Sequence, residues 1–374
     1  MYEPGENHKL QLTRPFMPPL DELAPLLERI RDSRWLTNDG PLHEELEQAL
    51  CKHLGINHIS LIANGTLALI TALRAMELKG EVITSPFTSV ATVQAILWNN
   101  LVPVFADIRE DDLNLNPASV EQAITPETAA ILPVHVFGNP CDTERIDNIA
   151  GDHGLKVLYD ATHCFGVEVD GVPLCSFGDL SVLSFHATKV FSTVEGGAVV
   201  CKDEATKRRL DSLKNNGLLP GKGVAAMGLN AKMNEVQAAF GLVHLRHMEH
   251  ITEGRKAATL MYRKLLSEVP GLRVIREPAE VRFNYPYLPV VIDPRTFGRS
   301  RDRLAEHLLN KNIVTRCYFS PLVTAYPEFL AYRNGALPVA EKMAERVLCL
   351  PLYHDITAGE VTRVAEAIKE SQRK

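Results

Sequence analysis

Short apolar runs rich in β-branched residues, separated by stretches with helical apolar spacing, restrict the fold of this chain more than any other feature. The runs lie at 58–62, 81–84, 102–106, 130–136, 156–159, 180–185 and 198–201. Between them, the segments 66–76, 90–98, 117–123 and 143–152 repeat apolar residues as one-sided helices do. This order predicts an α/β fold, with a mainly parallel sheet covered by helices.

The pattern changes after Asn234. A long helical stretch runs from 235 to about 268, with Val236, Phe240, Val243 and Met248 at near-helical spacing. It predicts a connection between domains. Beyond it, 285–292 reads as a strand, and 301–310 and 357–370 as helices. A chain of 374 residues is long for one core. We therefore expect a large domain of residues 1–250 and a small C-terminal α+β domain of residues 251–374.

Composition excludes several classes of function. The chain is 45% hydrophobic and 23% charged with a net charge of -6, which gives no electrostatic reason to bind nucleic acid. The Lys207-Arg208-Arg209 cluster reads as a solvated helix surface. No apolar segment approaches the roughly 20 residues that cross a bilayer, and the polar N-terminus does not resemble a secretory signal, so a cytoplasmic protein with no membrane partner is expected. Seven cysteines, an odd count without a CxxC pair, predict reduced thiols. His244, His247 and His250 recur every third residue, yet no acidic or cysteine ligand accompanies them at a familiar spacing. No metal is expected there.

The chemistry concentrates around Lys189, in Ser184-Phe185-His186-Ala187-Thr188-Lys189, and Asp160, in Leu158-Tyr159-Asp160-Ala161-Thr162-His163. A lysine that follows an apolar strand and precedes the pair Gly196-Gly197 can enter a pocket as a neutral amine and form a Schiff base with an aldehyde. A carboxylate ending an earlier strand can keep a pyridine nitrogen protonated. Together they read as a pyridoxal 5'-phosphate site. In Asn64-Gly65-Thr66, the backbone N–H groups at a helix start and the Thr66 hydroxyl suit a phosphate dianion, although the same residues are good turn and N-cap chemistry. Ser184 offers a second hydroxyl, or satisfies local backbone. His163 reads as a partner for the cofactor's phenolic oxygen or its ring. Trp35, His186, Tyr318 and His354 are candidate sugar or nucleotide contacts, with ordinary packing the alternative.

These segments, with Glu195-Gly196-Gly197-Ala198 and Gly228-Leu229-Asn230-Ala231-Lys232-Met233-Asn234-Glu235, resemble the nucleotide-sugar aminotransferases of the DegT/DnrJ/EryC1/StrS family. The resemblance runs from Trp35-Leu36-Thr37-Asn38 to Tyr318-Phe319-Ser320-Pro321-Leu322. It implies a fold-type I pyridoxal phosphate enzyme with a seven-stranded sheet in the large domain. It also implies a homodimer whose sites are completed by the partner, Asn230 reaching the phosphate across the dimer. L-glutamate is the implied amino donor, and the implied acceptor is a nucleotide-linked ketosugar, a dTDP-4-keto-6-deoxyhexose aminated at C4. Amination at C3, or a UDP- or GDP-linked substrate, fits most of the same motifs.

One position departs from the family pattern. An aromatic residue that stacks on the pyridine ring usually follows the threonine of the Pro-Phe-Thr-like segment, whereas here Ser89 follows Thr88. Phe87 or His163 is left to take that task. Two other roles remain open on the sequence: a dehydratase, which some relatives achieve with histidine in place of the lysine, and a cofactor-binding regulatory module. Lys189 opposes the first, and intact Asp160 and Ser184 oppose the second.

Overall fold

The computed structural model describes residues 9–219, 221 and 223–372. Its central sheet has seven strands: β1 (His58–Ile62), β2 (Glu81–Thr84), β3 (Val102–Phe105), β4 (Thr128–Leu132), β5 (Lys156–Asp160), β6 (Leu180–Ser184) and β7 (Gly197–Cys201). They are ordered β1-β7-β6-β5-β4-β2-β3. Only β7 runs against its neighbours; the pairings from β6 across to β3 are all parallel. Every residue of β6 and β7 is buried. Burial on both faces is why these strands appear in the sequence as continuous apolar runs rather than as alternation.

Two expectations on element limits are corrected. The fourth strand ends at Leu132 instead of continuing to Val136, because Pro133 has no N–H to give the ladder. A short turn, Val136–Gly138, follows, with Phe137 held at φ 55°. The long helix expected from 235 is two helices, Glu235–Arg246 and Met248–Leu266. At the junction the His247 N–H turns back to the His244 carbonyl, while its ring nitrogen meets Glu22 at 2.9 Å.

Helices Leu20–Ser33 and Pro41–Leu54, absent from the strand–helix reading, pack on Glu235–Arg246 and cover one face of the sheet. Gly241 permits this approach: a Cβ there would lie 3.0 Å from Leu46 Cδ2 and 2.8 Å from Thr193 Cγ2. The Lys207-Arg208-Arg209 cluster is less solvated than expected. Arg208 is exposed, but Lys207 pairs with Glu47 and Asp211, and the neighbouring Lys214 is 1% exposed beside Asp211.

A second lobe carries an antiparallel sheet of Leu272–Val274, Leu288–Ile292 and Val347–Leu350 under helices Arg301–Asn310 and Ala358–Gln372. Leu10 packs into the same core and bonds to Asn312 and Val314 through its backbone. Helix Met248–Leu266 gives Met248 and Ile251 to the first core, and Ala258, Tyr262 and Leu266 to the second. We place the division between the lobes inside that helix. All seven cysteines are free, and among the described residues no helix is long and apolar enough to cross a membrane.

Leu46 is fully buried where the two helices meet. Leu46→Ala should lower the unfolding free energy by about 2–5 kcal/mol, read from urea denaturation, because the cavity it leaves cannot close fully.

Candidate active site

The carboxyl ends of β5 and β6 open into a cavity of about 710 Å³ lined by Asp160, His163, Ser184 and Lys189 together with Gly65 and Thr66. The sequence motifs thus converge. Asp160 ends β5 and is 3% exposed. Its Oδ2 accepts from the Thr92 hydroxyl at 2.9 Å and its Oδ1 from the Thr162 N–H at 3.2 Å. Since Thr92 spends its proton on Asp160, the 2.9 Å contact between Thr92 and Thr88 is donated by Thr88. These hydroxyls fix the carboxylate without neutralising it.

Lys189 sits in the turn after β6, where its N–H bonds to the His186 carbonyl at 2.8 Å. Burial lowers its amine to about 8, against an ordinary value of 10.5, with Asp160 pulling the other way. Its Nζ donates to the Tyr287 hydroxyl at 3.5 Å.

The phosphate end is built by close approach. Helix Gly65–Ala75 begins at the cavity, capped by Asn64, whose side chain accepts from the Leu67 N–H at 2.9 Å. A Cβ on Gly65 would stand 3.0 Å from Ser184 Cβ and 3.1 Å from its Oγ, so glycine leaves the space between the helix start and the Ser184 hydroxyl open. Gly197 serves the same loop: a Cβ there would lie 2.7 Å from the Asn64 carbonyl carbon. Free amides at a helix start, with the Thr66 and Ser184 hydroxyls, form a cradle suited to a dianion.

His163 is buried and lines the cavity. Burial holds its pKa far below the ordinary value, with Lys189 the next cause, so the ring is neutral. Its Nδ1 accepts the Phe137 N–H at 3.2 Å, which leaves the proton on Nε2. Of the two residues considered for stacking in place of an aromatic at Ser89, only His163 reaches the cavity. Phe87 is fully buried elsewhere, edge-on to Phe137 and Phe319, while Ser89 caps helix Val90–Trp98 by accepting from Ala91.

The other candidates divide. His186 and Tyr318 line the cavity, His186 within 3.6 Å of Glu195. Trp35 and His354 do not: Trp35 is 49% exposed beside Gly40, and His354 packs on Phe16 and His250. Asn230 also lies off the lining, its Oδ1 accepting from Lys232. His244 and His247 both pack on Phe16, His247 also meeting Glu22, while His250 packs on His354. Thr92, Phe137 and Tyr287 are site residues that the sequence did not single out. Their signal is weak, since each lies inside a segment that reads as ordinary helix, strand or turn.

A buried amine lowered to about 8, a buried carboxylate with no ion pair among the described residues, and an open helix start share one α/β cavity. The model of the DegT/DnrJ/EryC1/StrS aminotransferase family matches residues 21–369, and the chain belongs to that family. It is 46% identical over 96% of its length, and 98% of the relative's, to a dTDP-4-amino-4,6-dideoxy-D-glucose transaminase of Shigella dysenteriae. An Escherichia coli protein of the same name is 44% identical, with the same coverage of both chains. Among solved structures, the fold matches DesI, crystallised with its TDP-sugar product, at a TM-score of 0.94 and 38% identity, covering 98% of this chain and 94% of that one. It also matches the Helicobacter pylori aminotransferase PseC at 0.91 and 26% identity, covering 98% and 99%.

In cofactor-free protein, acylation of Lys189 followed by mass spectrometry should titrate with a midpoint near pH 8. Surface lysines should titrate about two units higher, at the ordinary ~10.4.

Proposed function

We propose that the chain transfers the amino group of L-glutamate to C4 of a dTDP-linked 4-keto-6-deoxyhexose, giving dTDP-4-amino-4,6-dideoxy-D-glucose and 2-oxoglutarate. The observation that carries this reading is the 46% identity, sustained over almost the whole chain, to the transaminase named for that sugar. The cavity supports it independently, because Lys189 and Asp160 line the same space.

The donor set fits pyridoxal 5'-phosphate. Thr66, Ser184 and the first amides of helix Gly65–Ala75 would hold the phosphate, Asp160 the ring nitrogen and its proton, and His163 the ring face or its phenolic oxygen. Asp160 has no ion pair among the described residues, and a protonated ring nitrogen would supply its missing cation. Bound there, the cofactor supplies an aldehyde that carries the amino group and a ring that takes up the electron pair left on the donor carbon.

The remaining work falls to the protein. Lys189 Nζ, as a free amine, would take the proton from the donor Cα and pass it to the carbon of the cofactor's aldehyde group, on the same side of the cavity. In the return half it restores a proton to the sugar carbon that gains nitrogen. An amine near pKa 8 suits both directions, since neither protonation state is far out of reach at neutral pH. Asp160, fixed by Thr92 and the Thr162 amide, would hold the proton on the ring nitrogen. Aromatic side chains of Phe137, Tyr318 and Phe319 wall the cavity.

The enzyme acts as a homodimer in this reading. Leu23, Leu27, Leu36, Val194, Val236 and Phe240 line an apolar depression, in which Leu36, Val194 and Val236 are more than half exposed. Patches of this kind mark protein contacts. Asn230, outside its own chain's cavity, would complete the partner's phosphate site. No membrane or nucleic-acid partner enters the proposal, and the cytoplasm, where nucleotide sugars form, is its location.

Lys189→Ala should remove both the visible band of the bound cofactor and turnover, and retained turnover would reject the assignment. Incubating pyridoxamine-loaded protein with nucleotide ketosugars should restore the aldehyde absorption fastest with the dTDP-4-keto-6-deoxyhexose; a faster 3-keto, UDP- or GDP-linked sugar would replace that substrate. Mixing Lys189→Ala with Asn230→Ala subunits should restore activity if Asn230 serves the partner's site, because one of the two hybrid sites is then intact. Residues acting within one chain would give no recovery.

A further inference from the structure

Arg255 is a buried cation with no acidic partner among the described residues. It projects from helix Met248–Leu266, is 3% exposed, and donates from Nη1 to the carbonyls of Tyr285 and Pro286 at 3.3 Å and of Leu352 at 3.4 Å. Its Nε is buried without a partner. Burial pulls the guanidinium down to about 10, and Tyr287 is the one group that opposes this shift. Burying a guanidinium on carbonyls alone is costly, so its retention calls for a return elsewhere.

The clamped residues point to that return. Tyr285 is held at φ 52°, an unfavourable conformation for an aromatic residue, and both it and Pro286 are gripped by the same nitrogen. The next residue, Tyr287, enters the cavity and accepts from Lys189 Nζ at 3.5 Å. Its ring stands edge-on to His163 at 4.9 Å and to Tyr318 at 5.6 Å, which fixes its direction.

We infer that Tyr287 is the positioning residue of the Lys189 amine, and that Arg255 acts through it by locking the backbone that aims the phenol at Nζ. The inference rests on the aminotransfer reading of the same cavity. During transfer the amine must be released and recaptured while staying aligned with the donor carbon. A neutral hydroxyl suits this: it accepts from the ammonium and donates to the free amine, adding no charge in either state. Burial raises the Tyr287 pKa, so the phenol keeps its proton at working pH. The other titratable groups facing Nζ are Asp160, His163, Cys164 and Tyr318.

The test is a cycle of holoenzyme variants: Tyr287→Phe, Arg255→Lys and the double substitution. Tyr287→Phe should lower kcat roughly tenfold with KM little changed, the scale of one lost hydrogen bond. In its pyridoxamine-loaded form the midpoint for Lys189 acylation should fall, because the ammonium loses an acceptor. Arg255→Lys should act in the same direction, and in the Tyr287→Phe background it should cost nothing further in kcat. Arg255→Gln, which keeps two donors for the carbonyls, replaces Arg255→Lys if the latter does not fold. An unchanged kcat and midpoint in Tyr287→Phe would overturn the inference. Losses that multiply across the cycle, or an Arg255 variant that only melts lower, would overturn the role of Arg255. Wild-type protein whose cofactor band does not respond to glutamate would overturn the aminotransfer reading as well.

Discussion

Parallel pairing of β5 with β6, in the register Leu158 to Leu180, Tyr159 to Ser181 and Asp160 to Val182, is the constraint on which the site depends. It brings the acid at the end of one strand beside the turn that carries Lys189 after the other. A slip by one residue would turn Asp160 to the opposite face of the sheet and separate the two groups. The register is protected by burial, since each residue from Val157 to Asp160 and from Leu180 to Ser184 is shielded from water.

Around that pair, the fold tunes charge by choosing partners. Asp160 receives a hydroxyl and an amide but no cation, and Lys189 receives a neutral phenol while burial depresses its pKa. Neither group has an ion pair among the described residues, so the proposed cofactor finds both with bonding capacity to spare. The glycines work at the same scale. Gly65 leaves the space beside Ser184 open, and Gly197 lets its strand approach the Asn64 backbone.

The second lobe brings Tyr287 and Tyr318 to the cavity, and ion pairs of Arg282 with Glu168 and Lys342 with Glu110 tie it to the first lobe. Arg255, on the helix shared by the two cores, grips the carbonyls before Tyr287 and that of Leu352. The strand that follows, Leu288–Ile292, lies in the middle of the second sheet.

Much of this was legible before any coordinates, because strands buried on both faces and helices buried on one write their periods directly into the chain. Lys189, Asp160, Ser184 and the Gly65-Thr66 turn could be named because each ends or follows such an element, where an α/β sheet collects its ligands. Helices Leu20–Ser33 and Pro41–Leu54 were harder to find, since their faces make sense only against Glu235–Arg246. Thr92, Tyr287 and Arg255 left no pattern at all. Their roles arise from contacts between residues as far apart as Thr92 and Asp160, or Lys189 and Tyr287. Local sequence determined the elements, the acid and the amine, because those follow from short-range spacing; only the tertiary structure decided which hydroxyls and which buried cation hold them, because hydrogen bonding depends on distance in space and leaves no period in the chain.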